Sequence, residues 1–117
     1  MSEELVFVKL GGSLITDKRR ESTVRAGTLR LLAEELHAAL KAKPDLRLLL
    51  GHGSGSFGHW EASRYHTRAG VRTPAEWRGF TQVSAAVLRL NRIVVDTFTR
   101  ADVPVLSLQP SASAVAE

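Results

Sequence analysis

The sequence contains no cysteine among its 117 residues. This absence excludes a disulfide scaffold, catalysis by a thiol and any zinc site built on thiolate ligands, and it suits a reducing cytoplasm. The sequence also lacks any apolar run near the ~20 residues that a membrane-spanning helix requires. Residues 1–4 (MSEE) are acidic where a signal peptide is basic. We therefore expect a cytoplasmic protein with no membrane partner.

Dense clustering of one charge is missing as well. There are 16 Lys and Arg residues against 12 Asp and Glu, a formal net charge of +4. Such a balance is compatible with nucleic-acid binding, but Lys18, Arg19 and Arg20 form the only run of three basic residues. A mild positive charge suits small phosphorylated ligands equally well. We expect a small-molecule phosphate ligand and no nucleic-acid partner.

The residues that are present have an ordinary globular composition, 44% hydrophobic and 24% charged. The length allows one domain and leaves no room for a second of normal size. Short apolar runs at residues 5–10 and 46–50 are typical of buried strands, and residues 105–108 predict a third strand.

Two segments show the helical period. Apolar residues recur three and four apart over residues 28–43, which predicts a helix capped by Thr28 and ended near Pro44. Pro74 suits the first turn of a second helix that runs to about residue 101. The apolar stripe of this second helix comprises Trp77, Phe80, Val83, Val87, Leu90, Val94 and Phe98. Residues 59–73 give no clear pattern.

The alternation of apolar strands with helices predicts an α/β fold, a parallel sheet with helices on both faces. Ligands of such sheets bind beyond the carboxyl ends of the strands. Glycine-rich loops follow the first strand, at Gly11 and Gly12, and the second strand, at residues 51–59. The two loops therefore mark the expected site.

Familiar nucleotide and hydrolase motifs fit poorly. Residues 53–58 (GSGSFG) match G-x-G-x-x-G, but the dinucleotide fingerprint also needs an acidic residue at the end of the next strand. The nearest candidate, Glu76, lies at the start of a predicted helix. No glycine precedes Lys-Ser or Lys-Thr, so a P-loop is absent, and no G-x-S-x-G elbow is present.

The loops do carry chemistry suited to phosphate. Glycines let backbone N–H groups approach an anion closely. Lys9 lies in the apolar first strand, where it needs a partner such as a bound phosphate; snorkelling at the strand end is the alternative. By itself Lys18 reads as an ordinary surface lysine. Two glycine loops with two lysines suit phosphoryl transfer, which depends on positioning and charge neutralisation.

Two histidines flank the second loop. His59 stands at the expected start of a helix, where the dipole favours anions, and could donate to a substrate phosphate; a capping or packing role is the alternative. His52 is interpreted as structural, bonding the backbone across the loops. His37 and His66 have no visible partner in the sequence.

Residues 9–18 (KLGGSLITDK) and 51–59 (GHGSGSFGH) together resemble the amino acid kinase superfamily, and within it the isopentenyl phosphate kinases. The superfamily shares K-x-G-G-S and the glycine loop after the second strand. The extensions I-T-x-K and G-S-F-G-H are narrower and also occur in fosfomycin kinases. Residues 102–110 (DVPVLSLQP) extend the resemblance along the whole chain. It implies a three-layer α/β/α fold, here truncated.

The resemblance also implies roles for individual residues. Lys9, Lys18 and His59 would be the catalytic set, with Lys18 stabilising charge on the transferring phosphoryl group and His59 bonding the substrate's own phosphate. The residues implied to hold ATP phosphates are Lys9, Leu10, Gly11, Gly12, Ser13 and Gly55. Those implied to hold the substrate are Gly53, Ser54, Gly58 and His59. Phe80, Val83 and Val87 would either line a pocket for a prenyl tail or pack in the core. Mg²⁺ would accompany ATP, and no residue is assigned as a metal ligand.

Members of the family are more than twice as long, and their second half holds adenine and ribose. Residues 1–117 are therefore expected to be an N-terminal substrate- and phosphate-binding half. The complete enzyme would be a cytoplasmic homodimer that converts ATP and isopentenyl phosphate to ADP and isopentenyl diphosphate in isoprenoid biosynthesis. The alternatives are a kinase with a fosfomycin or amino-acid acceptor, and a non-catalytic phosphate-binding module.

Overall fold

The computed structural model describes residues 4–117. Strand β1 spans Leu5–Leu10, helix α1 Gly12–Ile15, helix α2 Ala26–Ala42, strand β2 Arg47–His52, helix α3 Gly55–Tyr65 and helix α4 Pro74–Arg100. Short 3-10 turns lie at Thr67–Ala69 and Pro110–Ala112. Although α4 has 27 residues, no helix within residues 4–117 combines the length and apolar content needed to cross a membrane.

Strands β1 and β2 pair in parallel, as predicted. The register runs from Leu5 opposite Arg47 to Leu10 opposite His52, so both strands end at the same level. The loops that follow them therefore emerge side by side at one edge of the sheet. This register, between two strands of six residues each, places both glycine loops at the same edge.

The two faces of the sheet differ in what covers them. Val8, Leu10 and Leu50 face the core, while Leu5 and Phe7, on the alternate face of β1, are 61% and 66% exposed. The α/β class with a parallel sheet is confirmed. Within residues 4–117 the helices pack against one face of the sheet, so two of the three layers of the implied fold are present.

The core lies between the covered face of the sheet and helices α2 and α4. Leu29 of α2 and Leu90 and Phe98 of α4 are fully buried, together with Ile15 of α1. Burying a side chain of this size contributes roughly 1.5–3 kcal/mol. This cluster holds the helices against the covered face of the sheet.

Helix α4 begins as predicted, with Pro74 in its first turn. The Thr73 hydroxyl accepts from the Glu76 N–H at 3.2 Å, and the Glu76 carboxylate accepts from the Thr73 N–H at 2.8 Å. Glu76 is thus a capping residue, which accounts for the poor dinucleotide match. The predicted apolar stripe is buried only further along: Trp77 and Phe80 are 54% and 47% exposed, with their rings packed edge to face at 5.6 Å.

Three local predictions are wrong. Helix α2 begins at Ala26 with Arg25 as its N-cap, so Thr28 does not cap it. Helix α3 starts at Gly55, inside the glycine loop, rather than near His59. Residues 105–108 form no strand; because a strand needs a hydrogen-bonded neighbour, an apolar run alone is insufficient, and Leu106 is 95% exposed.

Candidate functional site

A cavity of about 430 Å³ lies beyond the carboxyl ends of β1 and β2. Residues from both glycine loops and from α3 line it: Lys9, Gly12, Ser13, Lys18, Gly53, Ser54, Gly55, Ser56, His59 and Trp60. The structure thus brings together the three predicted catalytic residues and five further residues predicted to bind ATP or substrate. Leu10, Gly11 and Gly58 are not part of the lining.

The three predicted residues outside the lining have other surroundings. Leu10 is 4% exposed and belongs to the core. Gly58 is also buried, and a Cβ there would lie 3.2 Å from Val87 Cγ2, so this glycine permits close packing of α3 on α4. Gly11 borders open space. Phe80, Val83 and Val87 also lie outside the lining.

The two glycine loops touch through their backbones. A Cβ on Gly53 would lie 2.7 Å from the Gly12 nitrogen, and a Cβ on Gly12 would collide with the Gly55 backbone. Gly55 also has a φ of +49°, which disfavours other residues. Because no side chain separates the loops, their N–H groups are brought into one small volume.

Thr16 forms hydrogen bonds to both loops. Its buried hydroxyl donates to the Gly12 carbonyl at 2.6 Å and accepts from the Ser56 N–H at 3.0 Å. The motif I-T-x-K contains Thr16, but the pattern of residue types assigns it no role. It is a structural residue of the site that sequence reasoning missed.

Several backbone donors remain available at the cavity. Among residues 4–117, the N–H groups of Gly12, Ser13, Ser54 and Gly55 have no hydrogen-bond partner, and all four residues line the cavity. The Gly55 N–H is also at the first turn of α3, where the partial positive charge of the helix end is concentrated. These groups can donate to an anion.

The charged side chains of the cavity are cationic. Lys9 and Lys18 line it without an ion pair among the described residues. Lys9 is exposed, on the uncovered face of β1, so the predicted reason for a partner, burial in an apolar strand, is wrong. Asp17 does not neutralise Lys18: hydrogen bonding to the Arg19 N–H lowers the pKa of Asp17, and its carboxylate contacts Arg19 at 3.3 Å.

Histidine and tryptophan complete the rim of the cavity on α3. His59 is the fifth residue of this helix rather than its first, so any contact with an anion would come from its imidazole. Trp60 follows it, 42% exposed, and was not a predicted site residue. The sequence pattern did not show that α3 begins at Gly55. Without the start of the helix, the directions of the His59 and Trp60 side chains cannot be predicted.

His52 contacts its own loop. Its Nδ1 lies 2.9 Å from the Gly53 carbonyl oxygen, and its Nε2 lies 3.0 Å from Asn91 Nδ2 on α4. The structural role predicted for His52 is supported, although the bonded carbonyl belongs to the same loop and not to the first one. Asn91 was not singled out in the sequence.

Known proteins match this chain along nearly its whole length, including both glycine loops. The model of the amino acid kinase family matches residues 4–117. Isopentenyl phosphate kinase from Methanocaldococcus jannaschii is 33% identical over 117 aligned positions, which cover 95% of this chain and 45% of that protein. The isopentenyl phosphate kinase from Methanothermobacter thermautotrophicus is 33% identical over 113 positions, covering 92% and 41%.

A solved structure supports the same relationship. An isopentenyl phosphate kinase determined by X-ray crystallography superposes with a TM-score of 0.79 at 32% identity, covering 93% of this chain and 45% of that one. The chain therefore spans less than half the length of the relatives it matches. Since the family match extends over residues 4–117, the chain belongs to the amino acid kinase family.

Proposed function

We propose that this chain is the N-terminal, substrate- and phosphate-binding half of an enzyme that transfers the γ-phosphoryl group of ATP to isopentenyl phosphate. A P–O bond forms between the acceptor phosphate oxygen and the γ-phosphorus, and the bond to the β-phosphate oxygen of ADP breaks. The observation that carries the proposal is the cavity in which both motif loops meet around two lysines and His59. The names of the relatives support the choice of acceptor.

The donor side of the cavity would hold the ATP phosphates. Lys9 offers a cationic side chain, and Gly12, Ser13 and Gly55 offer backbone N–H groups. Leu10 is buried, so it would contribute by carrying the backbone into the loop: its carbonyl accepts from the Gly53 N–H at 2.9 Å. Gly11 would serve as the flexible entry to α1.

The acceptor side would hold the substrate's own phosphate. His59 would donate from its imidazole, with the backbone of Gly53 and Ser54 beside it. Lys18 would stabilise the negative charge on the transferring group. Because the acceptor is already an anion at neutral pH, the reaction needs charge neutralisation and no general base. The cavity lining contains cations and no carboxylate, which agrees with that requirement.

The residues present do not form a magnesium site of their own. Mg²⁺ prefers carboxylate and other oxygen ligands, whereas the lining has no Asp or Glu, and residues 4–117 contain no cluster of three potential metal ligands. Membership of a kinase family supports ATP as the donor.

Replacing His59 tests the acceptor assignment. In the full-length enzyme, His59→Ala should lower kcat/KM for isopentenyl phosphate by about tenfold to a hundredfold, since a hydrogen bond to a charged group is lost. The KM for ATP should change little. His66→Asn is the control: it removes an exposed histidine outside the cavity and keeps a residue suited to the left-handed backbone at this position.

A panel of acceptors assayed with the full-length protein separates the remaining kinase functions. Isopentenyl phosphate should be phosphorylated most efficiently, ahead of fosfomycin and of amino acids with a side-chain carboxylate. Preference for either alternative, or unchanged kinetics in His59→Ala, would contradict the proposal. We further propose that the complete enzyme is a cytoplasmic homodimer, as the resemblance implies. Light scattering measures its oligomeric state.

A further inference from the structure

Three polar side chains connect the second glycine loop to the C-terminal segment of the chain. His52, the last residue of β2, lies with Nδ1 at 2.9 Å from the Gly53 carbonyl and with Nε2 at 3.0 Å from Asn91 Nδ2. The Ser107 hydroxyl donates to Asn91 Oδ1 at 2.7 Å. The contacts thus run from β2 through α4 to the segment after α4, although His52 and Asn91 are 39 positions apart in the sequence.

The chemistry of these contacts fixes the hydrogen on His52 Nδ1. A carbonyl oxygen only accepts, so His52 Nδ1 must carry the hydrogen that is donated to Gly53. In the structure the Asn91 NH₂ group lies against the other ring nitrogen, and the Asn91 oxygen accepts from Ser107. Either orientation of the Asn91 amide requires the same hydrogen on Nδ1.

The bond to Gly53 also sets the direction of a donor in the site. In a planar trans peptide the carbonyl and the following N–H point in opposite directions. Holding the Gly53 carbonyl toward His52 therefore turns the Ser54 N–H away from the imidazole. Ser54 lines the cavity, and its N–H has no hydrogen-bond partner within residues 4–117.

We propose that His52, Asn91 and Ser107 form a positioning chain that fixes the 53–54 peptide and thereby the Ser54 N–H as an anion donor. None of the three lines the cavity, so they act through the backbone and are not catalytic residues. The proposal rests on the proposed function only in naming the anion as a phosphate. Its effect is to couple the C-terminal segment to the loop.

The imidazole of His52 gives a direct readout. Nitrogen-15 NMR of the 117-residue chain at neutral pH distinguishes the two neutral tautomers and the imidazolium by their ring-nitrogen shifts. We expect a hydrogen on Nδ1. The tautomer with a bare Nδ1 would overturn the proposal, because the Gly53 carbonyl would then have no donor in His52.

Asn91→Asp alters one contact only. The carboxylate keeps an acceptor for Ser107 but has no NH₂ group for His52, so the ring shifts of His52 and the backbone amide shifts of Gly53, Ser54 and Gly55 should change. Gln82→Glu is the matched control, the same amide-to-acid change on an exposed position of α4. If the amide shifts of Gly53, Ser54 and Gly55 change no more in Asn91→Asp than in the control, the result would contradict the positioning chain.

Ser107→Ala keeps the proposal testable should Asn91→Asp fail to fold, because Ser107 is exposed and outside any helix or strand. It should produce smaller shifts at the same amides, and their absence would count against the chain. Titration with inorganic pyrophosphate separates the two proposals. Binding should weaken by about three- to tenfold in Asn91→Asp. The wild-type protein could show the hydrogen on His52 Nδ1, and the variants the expected amide shifts, while the wild-type protein binds no pyrophosphate. That result would support the positioning chain and contradict the phosphate-binding function.

Discussion

Thr16 forms hydrogen bonds to both glycine loops from a fully buried position. Its neighbours in this arrangement, the Gly12 carbonyl and the Ser56 N–H, are separated by more than forty positions in the sequence. Without the hydroxyl the buried Ser56 N–H would lose its hydrogen-bond partner, whereas the Gly12 carbonyl would keep its bond from the Thr16 N–H at 3.0 Å. The stability of the fold and the geometry of the site therefore meet in one side chain.

Thr16→Val should destabilise the chain by about 1–3 kcal/mol, because it leaves the buried Ser56 N–H unsatisfied while nearly conserving volume. Urea unfolding measures the change. Thr16→Ser is the control, since it keeps both hydrogen bonds and removes one methyl group. Equal stabilities for the Val and Ser variants would contradict the role assigned to the hydroxyl.

Gly11 and Gly12 are adjacent but have different surroundings. An added Cβ on Gly12 collides with Gly55, whereas one on Gly11 meets nothing within 4 Å. Gly12→Ala should therefore lower stability by about 1–3 kcal/mol and abolish pyrophosphate binding by parting the loops. Gly11→Ala, at an ordinary φ of −61°, should leave stability within about 1 kcal/mol of the wild type. Calorimetric titration and urea unfolding of both variants test this; equal loss in both would refute it.

At the scale of elements, the start of α4 joins a helix cap to a titratable group. Hydrogen bonds from the Thr73 N–H, and then from the Arg72 N–H, hold the pKa of Glu76 below its ordinary value of 4.5. A carboxyl whose pKa is lower in the folded state stabilises the fold when ionised. That contribution is present above the unfolded-state pKa and is lost as the pH falls through the lower, folded-state pKa.

Glu76→Gln should accordingly be less stable than the wild type at pH 7, and the difference should shrink as the pH is lowered from about 5 toward 3. Urea unfolding across this range measures it. A difference that stays constant with pH would show that the charge of Glu76 is unimportant. Thr73→Ala serves as the comparison, with a cost of about 1 kcal/mol that should depend less on pH.

The elements that sequence patterns predicted share one property, a regular apolar period. The predicted ends of strands β1 and β2 and of helices α2 and α4 lie within a few residues of the ends in the structure. Helix α3 begins with Gly55 and Ser56, which propensity assigns to a loop, and its start depends on tertiary contacts: the Ser56 N–H donates to Thr16, and Gly58 lets the helix pack closely on α4. Residues 105–108 have the composition of a strand, but strand formation depends on a neighbour that a local pattern does not specify.

The site was predictable as a set of motifs but not as a set of contacts. The glycines and lysines of the two loops identify the cavity because loops after parallel strands share an edge. The hydrogen bonds of Thr16 and of His52 with Asn91 join residues about forty positions apart. No spacing rule connects such pairs, and only the folded chain brings them together.

At the scale of the whole molecule, the uncovered face of the sheet borders the cavity. Leu5, Phe7 and Lys9 alternate along the uncovered face of β1, and Lys9 also lines the cavity. Any element that packs on this face would approach Lys9 from the side opposite to α2 and α4. The groups that we propose bind phosphate therefore have an open approach from this face.

The 117-residue chain should consequently recognise phosphates with little regard for the base. Tripolyphosphate and ATP should bind to it with dissociation constants within about threefold of each other, since the cavity lining offers cations and N–H donors to both. Isothermal titration at fixed ionic strength measures this, with Lys18→Ala expected to weaken both ligands alike. A marked preference for ATP would show that these residues also bind the nucleoside.

The backbone contact between Gly12 and Gly55 limits how such a site can diversify. Where two side chains touch, a larger residue at one position can be compensated by a smaller one at the other, but here neither partner has a side chain to reduce. Both positions are therefore closed to gradual exchange. If the chain has the function proposed above, changes in acceptor preference would have to arise at rim positions such as Trp60, where a side chain can be exchanged without moving the two loops.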